Sequence, residues 1–362
     1  MFINFSSFYK QIKERRKIMQ IEEIRKKVLT PETEYRFLEE NEHLGSNIIL
    51  LGLGGSHAYG TNKEGSDLDI RGIALNSSKE ILLGKDFAQV VNTDTDTTIY
   101  SFNKILELLT SCNPNTIEML GLEDWQYIKL HPIGEELLKN KKMFLSKLCI
   151  TTFLGYAASQ LRRLENKTAR LASQAQQEAH ILKSIENARY SFKEKYLTHE
   201  DDIIKLYIDK TIQEDYETEI FMDINLSRYP LRDWVNMWNE MKSIVSSYNK
   251  IGKRNEKAIS HDKLGKHMAH LIRLYMMGID ILEKEEIITY RREEHELLMA
   301  IRNGKFLDDN RQPITEFYEI LNEYEKRFEY AKENTSLPDL PDKKQIEEFK
   351  MYVNEKIIKG DI

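Results

Sequence analysis

The residues with the most chemical content are Gly54-Gly55-Ser56, which close a short apolar run, and Asp67-Leu68-Asp69, ten residues beyond the serine. Glycines let a backbone come close to an anion, and the N–H groups of a turn that opens a helix present a positive end. Ser56 adds a hydroxyl able to donate to a phosphate oxygen. In a strand alternate side chains share a face, so Asp67 and Asp69 would project together while Leu68 and Ile70 turn to the core. Two carboxylates so close repel unless a cation lies between them. Magnesium is the usual one, because it takes hard oxygen ligands from one or two carboxylates and from substrate phosphates. A phosphate-sized loop beside paired carboxylates points to metal-assisted chemistry on a nucleoside triphosphate. Two other phosphate loops are excluded. His57 stands where the third glycine of a dinucleotide fingerprint belongs, and no Gly-Lys-Ser/Thr follows. Either half alone reads as a tight turn or a solvated loop; the two together, each at a strand end, carry the reading.

The elements that must position these residues follow from hydrophobic patterning. Asn47 to Leu53 is a compact apolar run ending in glycines, as in a buried strand, and Asp67 to Leu75 is the next strand. Lys79 to Leu83 is a short element at the rim. Thr97 to Phe102 is a third strand, continued by a helix over Asn103 to Thr110. Ahead of them lie a short charged helix, Ile21 to Lys27, and a helical stretch through Phe37 to Glu40. Cys112-Asn113-Pro114-Asn115 breaks the chain, with Thr116 expected to cap a helix through Leu120. From about Gly134 strand-like runs become scarce. Apolar residues recur at helical spacing through Phe153 to Leu164, Ala179 to Tyr196, Leu264 to Leu282, Leu297 to Ile301, Phe317 to Phe328 and Gln345 to Ile357.

With 362 residues, 41% hydrophobic and 31% charged, the chain is expected to be globular and of two domains. A net charge of −6 argues against a generally basic nucleic-acid coat, while 53 Lys and Arg leave room for a local basic groove. Cys112 and Cys149 fit neither a metal knuckle nor a disulfide framework, so a cytoplasmic protein is expected. No apolar run approaches the roughly 20 residues of a bilayer span, so no membrane partner is expected. The basic N-terminus lacks the apolar segment of a secretory signal. The expected organisation is residues 1–18 as a disordered or extension segment, with Met19 an alternative start; a catalytic domain over 19–133; a helical domain over 134–335; and a connector with a final helix over 336–362.

Gly54-Gly55-Ser56 and Asp67-Leu68-Asp69 at this spacing resemble the signature of the DNA polymerase β-type nucleotidyltransferase superfamily. The longer string GSHAYGTNKEGSDLDIRGI is similar to one branch of it, the predicted nucleotidyltransferases associated with bacterial RNA-repair operons. That branch has a later aspartate, an aromatic, a lysine and an Asn-Pro-x-x-x-Glu-x-Leu segment. Asp96, Tyr100, Lys104 and Asn113-Pro114 through Glu118 and Leu120 match them here. The resemblance covers residues 47 to 125 well, Lys263 to Gly278 weakly and the remainder hardly at all. It implies an α/β (α+β) fold, a small mixed β-sheet with flanking helices, followed by a mostly α-helical domain. It also implies a third carboxylate on a neighbouring strand, Asp96, with Asp94 a rival two residues away and Glu118 a further alternative. Asp67 and Asp69 would bridge two Mg²⁺ ions, with Mn²⁺ able to substitute, and Asp96 would hold the ion beside the acceptor hydroxyl. An α-phosphate of a bound NTP, ATP foremost, would then pass to that hydroxyl with loss of pyrophosphate.

Further residues surround this set. Arg71 shares the strand face of the two aspartates and either holds a phosphate or balances their charge. His57 stands at the loop–helix junction, able to touch a phosphate or to bond the helix end. Tyr59 is read as packing, and Lys63 as a turn residue. Lys263, Lys266, His267, His270 and Arg273 recur at helical spacing opposite Leu264, Leu271 and Ile272, a basic face suited to a triphosphate or an RNA backbone and equally to solvent. Arg254 and His261 have the spacing of HEPN-type ribonucleases, one that arises easily by chance. The expected acceptor is an RNA end, with a protein hydroxyl as the alternative; a non-catalytic nucleotide- or RNA-binding module is the third class.

Overall fold

The structure, a computed structural model, describes residues 21–171, 204–210, 218–245, 263–309 and 311–362. The chain divides into two compact units that interleave in sequence. The first contains residues up to Ser159 with Ala269–Ile301 and Tyr318–Ile362; the second contains Gln160–Met268 with Arg302–Phe317.

The first unit is built on a five-stranded sheet: β1 (Ile48–Leu53), β2 (Ile70–Ala74), β3 (Gln89–Asn92), β4 (Thr97–Ser101) and β5 (Tyr127–Leu130), in the order β3-β4-β2-β1-β5. β2 and β4 are parallel and the other pairings antiparallel, so the sheet is mixed. Parallel neighbours need a crossover. Here it runs through a helix, Ser78–Leu83, started by a Ser77/Glu80 capping box and ended by Gly84 at φ 61°. β1 is buried along its whole length, because strands flank it on both sides and β1 residues pack on both faces. On one face Leu51, Leu53, Ile70, Ala74 and Ile99 form a core with Ile21 and Val28 of the helix over 21–29 and with Tyr35 and Leu38. Each fully buried aliphatic side chain there contributes about 1.5–3 kcal/mol. Asp69 and Arg71 alternate with Ile70 and so belong to the opposite face.

Several boundaries differ from expectation for identifiable reasons. The second strand begins at Ile70, not Asp67. Its ladder with β1 ends at Leu53↔Ile70, because β1 turns away at Gly54 and leaves a single further bond, Gly54 N–H to the Asp69 carbonyl at 2.8 Å. Asp67 and Asp69 therefore lie in the loop that delivers the strand. β4 stops at Ser101, whose hydroxyl accepts from Lys104 N–H and starts the helix Phe102–Thr110. Asn113, not Thr116, is the next cap. Its side chain accepts from Asn115 N–H, Pro114 takes the first helical position, and Thr116 lies buried within the short helix Pro114–Ile117. Neither β3 nor β5 was expected.

Long helices complete the unit, in whole or in part: Leu148–Leu171, Lys263–Lys284, His295–Arg302, Thr315–Asn334 and Lys343–Lys359. The helix-rich character expected beyond Gly134 is thus found, while the expected helix at Ala179 to Tyr196 lies outside the described residues. The second unit also holds an unexpected antiparallel hairpin, Ile204–Lys210 with Thr218–Ile224. The fold is α/β, a small mixed sheet followed by a helix-rich part. No helix among the described residues is long and apolar enough to cross a membrane. Cys112 and Cys149 are unpaired by disulfide but fully buried, and their thiols hydrogen-bond each other.

Candidate active site

The turn after β1 brings Gly54 and Gly55 against Asp69. Gly54 caps the short helix Gly55–Ala58 in an extended conformation. Gly55 has φ +51°, and a Cβ added to it would lie 1.8 Å from Asp69 Oδ2. Only glycine fits on both counts. The space where a Gly55 side chain would stand is taken by the Asp69 carboxylate. Arg71 lies alongside: Nη2 is 4.0 Å from Asp69 Oδ1, and Nη1 donates to the Asp96 carbonyl at 3.1 Å and to the Ile70 carbonyl at 3.2 Å. One guanidinium thereby ties the acidic loop to the turn that precedes β4.

The parallel register pairs Ile70 with Thr97 and Arg71 with Thr98. One residue earlier on each strand are Asp69 and Asp96, and Ile70 N–H donates to the Asp96 carbonyl at 3.2 Å. Residues 93–96 form a turn, not the extended segment that would have made Asp94 equivalent to Asp96. Asn92 Oδ1 accepts from the N–H groups of Asp94 and Thr95, and Asp96 leaves the turn with φ 48°. Asp94 is therefore within the turn, and Asp96 is the residue at the head of the strand beside Asp69. The side chains of Asp67 and Asp96 are exposed and that of Asp69 is partly covered. Among the described residues no three His, Cys, Asp or Glu side chains gather closely enough to hold an ion. The donor chemistry, carboxylate oxygens at one end of two adjacent strands, is that of a hard divalent cation.

Behind the turn lies a buried polar cluster that sequence reasoning did not assemble. Tyr59 donates its hydroxyl to Glu118 Oε2, and the Arg273 guanidinium stacks 3.2 Å from the centre of the Tyr59 ring. Arg273 Nη2 is 2.7 Å from His270 Nδ1. Burial raises the Glu118 carboxyl above its ordinary range, against the pull of Arg273, the Tyr59 hydroxyl and Arg71. Burial likewise drives the Tyr59 phenol far up. The Asn-Pro-x-x-x-Glu pattern was the one signal for Glu118, and it suggested a metal ligand, not a partner for Tyr59. Gln126, fully buried, donates to the carbonyls of His57 at 3.0 Å and Ala58 at 2.8 Å, and nothing in the sequence marked it.

The remaining expected residues are dispersed. Ser56 is buried in the turn. Lys104 is ion-paired with Glu107 at 2.9 Å on its own helix, and Lys63 N–H donates to Ser66 Oγ within the loop. Lys263 opens the helix Lys263–Lys284, Lys266 is exposed, and His267 Nδ1 is 3.4 Å from Gln160 Oε1; all three fall in the second unit. Leu264, Leu271 and Ile272 are buried as expected. Arg254 and His261 lie outside the described residues.

No curated protein and no solved structure matches the chain. Residues 21–190 match the RNA repair pathway DNA polymerase beta family, RlaP. The whole sheet, the Gly54–Gly55 turn, Asp67, Asp69, Asp96 and Glu118 fall within that span, so the part of the chain that holds the candidate site is similar to the DNA polymerase β-type family of RNA repair.

Proposed function

We propose that the protein is a Mg²⁺-dependent nucleotidyltransferase that moves a nucleoside monophosphate from an NTP, ATP foremost, to a hydroxyl at an RNA end, releasing pyrophosphate. The observation that carries this reading is the approach of Gly55 to the Asp69 carboxylate with Asp96 at the head of the adjoining parallel strand. Asp67, Asp69 and Asp96 would hold the metal. When bound, Mg²⁺ supplies neutralisation of the triphosphate charge and a lowered pKa for the attacking hydroxyl. The protein's own residues do the rest. The backbone N–H groups of the Gly55–Ala58 turn and the Ser56 hydroxyl receive phosphate oxygens. Arg71 keeps Asp69 and the Asp96 backbone in register. Asp96 takes the proton of the acceptor hydroxyl. Alignment and preformed charge provide most of the acceleration in such transfers, so a rigid turn matters as much as the ligands.

The test is incubation of the purified chain with Mg²⁺ and each of four α-labelled NTPs, with RNA or cell lysate as acceptor. Label on RNA supports the proposal, and label on a protein band assigns a protein acceptor instead. No labelled product, with Asp67→Ala indistinguishable from wild type in every assay, leaves a non-catalytic binding module.

A further inference from the structure

The turn that carries Gly55, Ser56 and His57 does not hold its shape through its own bonds alone. Besides the Gln126 bonds and the Glu118 and Arg273 contacts of Tyr59, its far end is held by one segment over 230 residues later in the chain, within the same compact unit. His295 Nε2–H donates to the Gly60 carbonyl at 2.9 Å, and Arg291 N–H donates to the Tyr59 carbonyl at 3.4 Å. Gly60 has φ +71°, and an added Cβ there would sit 2.3 Å from the Tyr290 ring. Tyr290 in turn meets Trp125 edge to face at 5.4 Å. Thr289 makes two further bonds: its Oγ1–H to the Glu118 carbonyl at 2.7 Å, and its N–H to the Gly121 carbonyl at 3.1 Å. Glu118 is the residue that receives the Tyr59 hydroxyl. The segment therefore grips the turn directly at Tyr59 and Gly60 and indirectly through Glu118.

The segment is itself anchored. Arg291 is 1% exposed and ion-paired with Asp280, 4% exposed, while its Nη2 donates to the Ile288 carbonyl at 2.7 Å. At the solvent edge Arg292 pairs with Glu123 at 3.1 Å. None of these residues after 190 lies within the family match.

We propose that Ile287–His295 is a positioning strap for the phosphate-binding turn, with His295, Thr289 and Tyr290 as positioning residues that touch no reacting atom. This rests on the nucleotidyltransferase reading above for its consequence in catalysis, but not for its mechanical content. With the strap in place, the Gly55–Ala58 backbone and the Asp69 carboxylate that lies against it keep one geometry. With the His295 bond removed, the Tyr59–Gly60 end loosens, and misplacement by an ångström at the reacting centre lowers transfer by up to about 10²-fold.

The experiment uses the full chain in two readouts, hydrogen exchange by mass spectrometry and transfer of label from Mg-ATP. His295→Ala is expected to raise exchange in the peptide covering residues 55–61 by about tenfold, the equivalent of one lost hydrogen bond. Exchange in β1 should stay within about twofold. Transfer should fall chiefly in kcat, with KM for Mg-ATP little changed. His295→Gln, which restores an N–H donor, should recover both, and Thr289→Val should give the same pattern as His295→Ala. Unchanged exchange at 55–61, or an equal rise in β1, overturns the strap. If wild type transfers no label with any NTP, the nucleotidyltransferase reading falls, and the strap stands or falls on the exchange result alone.

Discussion

Replacing Gly55 by alanine tests the core of the site with one methyl group. That methyl would lie 1.8 Å from Asp69 Oδ2 and 2.7 Å from Asp69 Cγ, where real Cβ atoms keep at least 3.0 Å. The turn and the carboxylate must therefore part by about 1.2 Å. The backbone at φ +51° adds its own strain, about 1–2 kcal/mol for an L side chain. The two effects can be separated. Gly65 has φ +77° with nothing within 4 Å of its added Cβ, so Gly65→Ala carries the strain without the collision. Gly54→Ala meets Asp69 Cβ at 3.1 Å and Arg71 Cγ at 3.2 Å at an ordinary φ, so it carries a mild collision without the strain. Gly55→Ala should lose about 2–4 kcal/mol in urea unfolding, against about 1 kcal/mol for each control. Its transfer of label from Mg-ATP should fall about 10²-fold, while Gly65→Ala remains near wild type. If Gly55→Ala is no less stable than Gly65→Ala and transfers label within about threefold of wild type, the close approach is not why glycine stands there.

Asp67→Asn and Asp69→Asn should each lower transfer by about 10²–10³-fold. Asp67 is exposed, so its variant should keep its unfolding midpoint within about 0.5 kcal/mol of wild type; a large shift would make it a structural residue. Chelation with EDTA should stop transfer, and Mn²⁺ should restore it; activity that survives chelation refutes the metal assignment. The raised pKa of Glu118 makes its protonated form the better match to the fold. Its contribution is complete below the ordinary carboxylate value of 4.5 and is lost as pH rises through the folded-state value. Glu118→Gln should therefore gain stability relative to wild type between pH 5 and 8, by denaturant midpoints, and a loss over that window would contradict the burial argument. Cys112 and Cys149 should resist iodoacetamide in the native chain at pH 8 and react in denaturant, since the hydrogen bond with the Cys149 thiol, and then burial, hold Cys112 far above the ordinary thiol range.

Strand β1 was legible because every residue from Ile48 to Leu53 is buried, and a strand covered on both faces has to be apolar throughout. The acidic pair was legible because loop and carboxylates fall close together in sequence. β3 and β5 were not, each being an edge strand of only four residues, too short to display a period. The Asn92–Asp96 turn defeated an argument from alternation, since Asn92 bonds its own following backbone instead of extending. The Tyr59–Glu118–Arg273 cluster was illegible for another reason. Tyr59 and Glu118 are 59 residues apart, and each alone looks like an ordinary surface or packing residue. Glu118 and Thr289 are 171 apart. Burial of a carboxylate follows from which distant segment covers it, and no local pattern encodes that.

The bond from His295 to Gly60 closes a loop of 235 residues, and that has a bearing on how the protein is made. Synthesis at about 5–20 residues per second puts roughly 10–50 s between the appearance of the acidic turn and of the histidine that braces it. For that interval β1, β2 and β4 can pair, because they fall within residues 48–101, but the turn lacks its distant partners. Maturation of the site is thus a late event in the life of the nascent chain. The part resembling a known family is synthesised early, and the segment that braces it arrives well after.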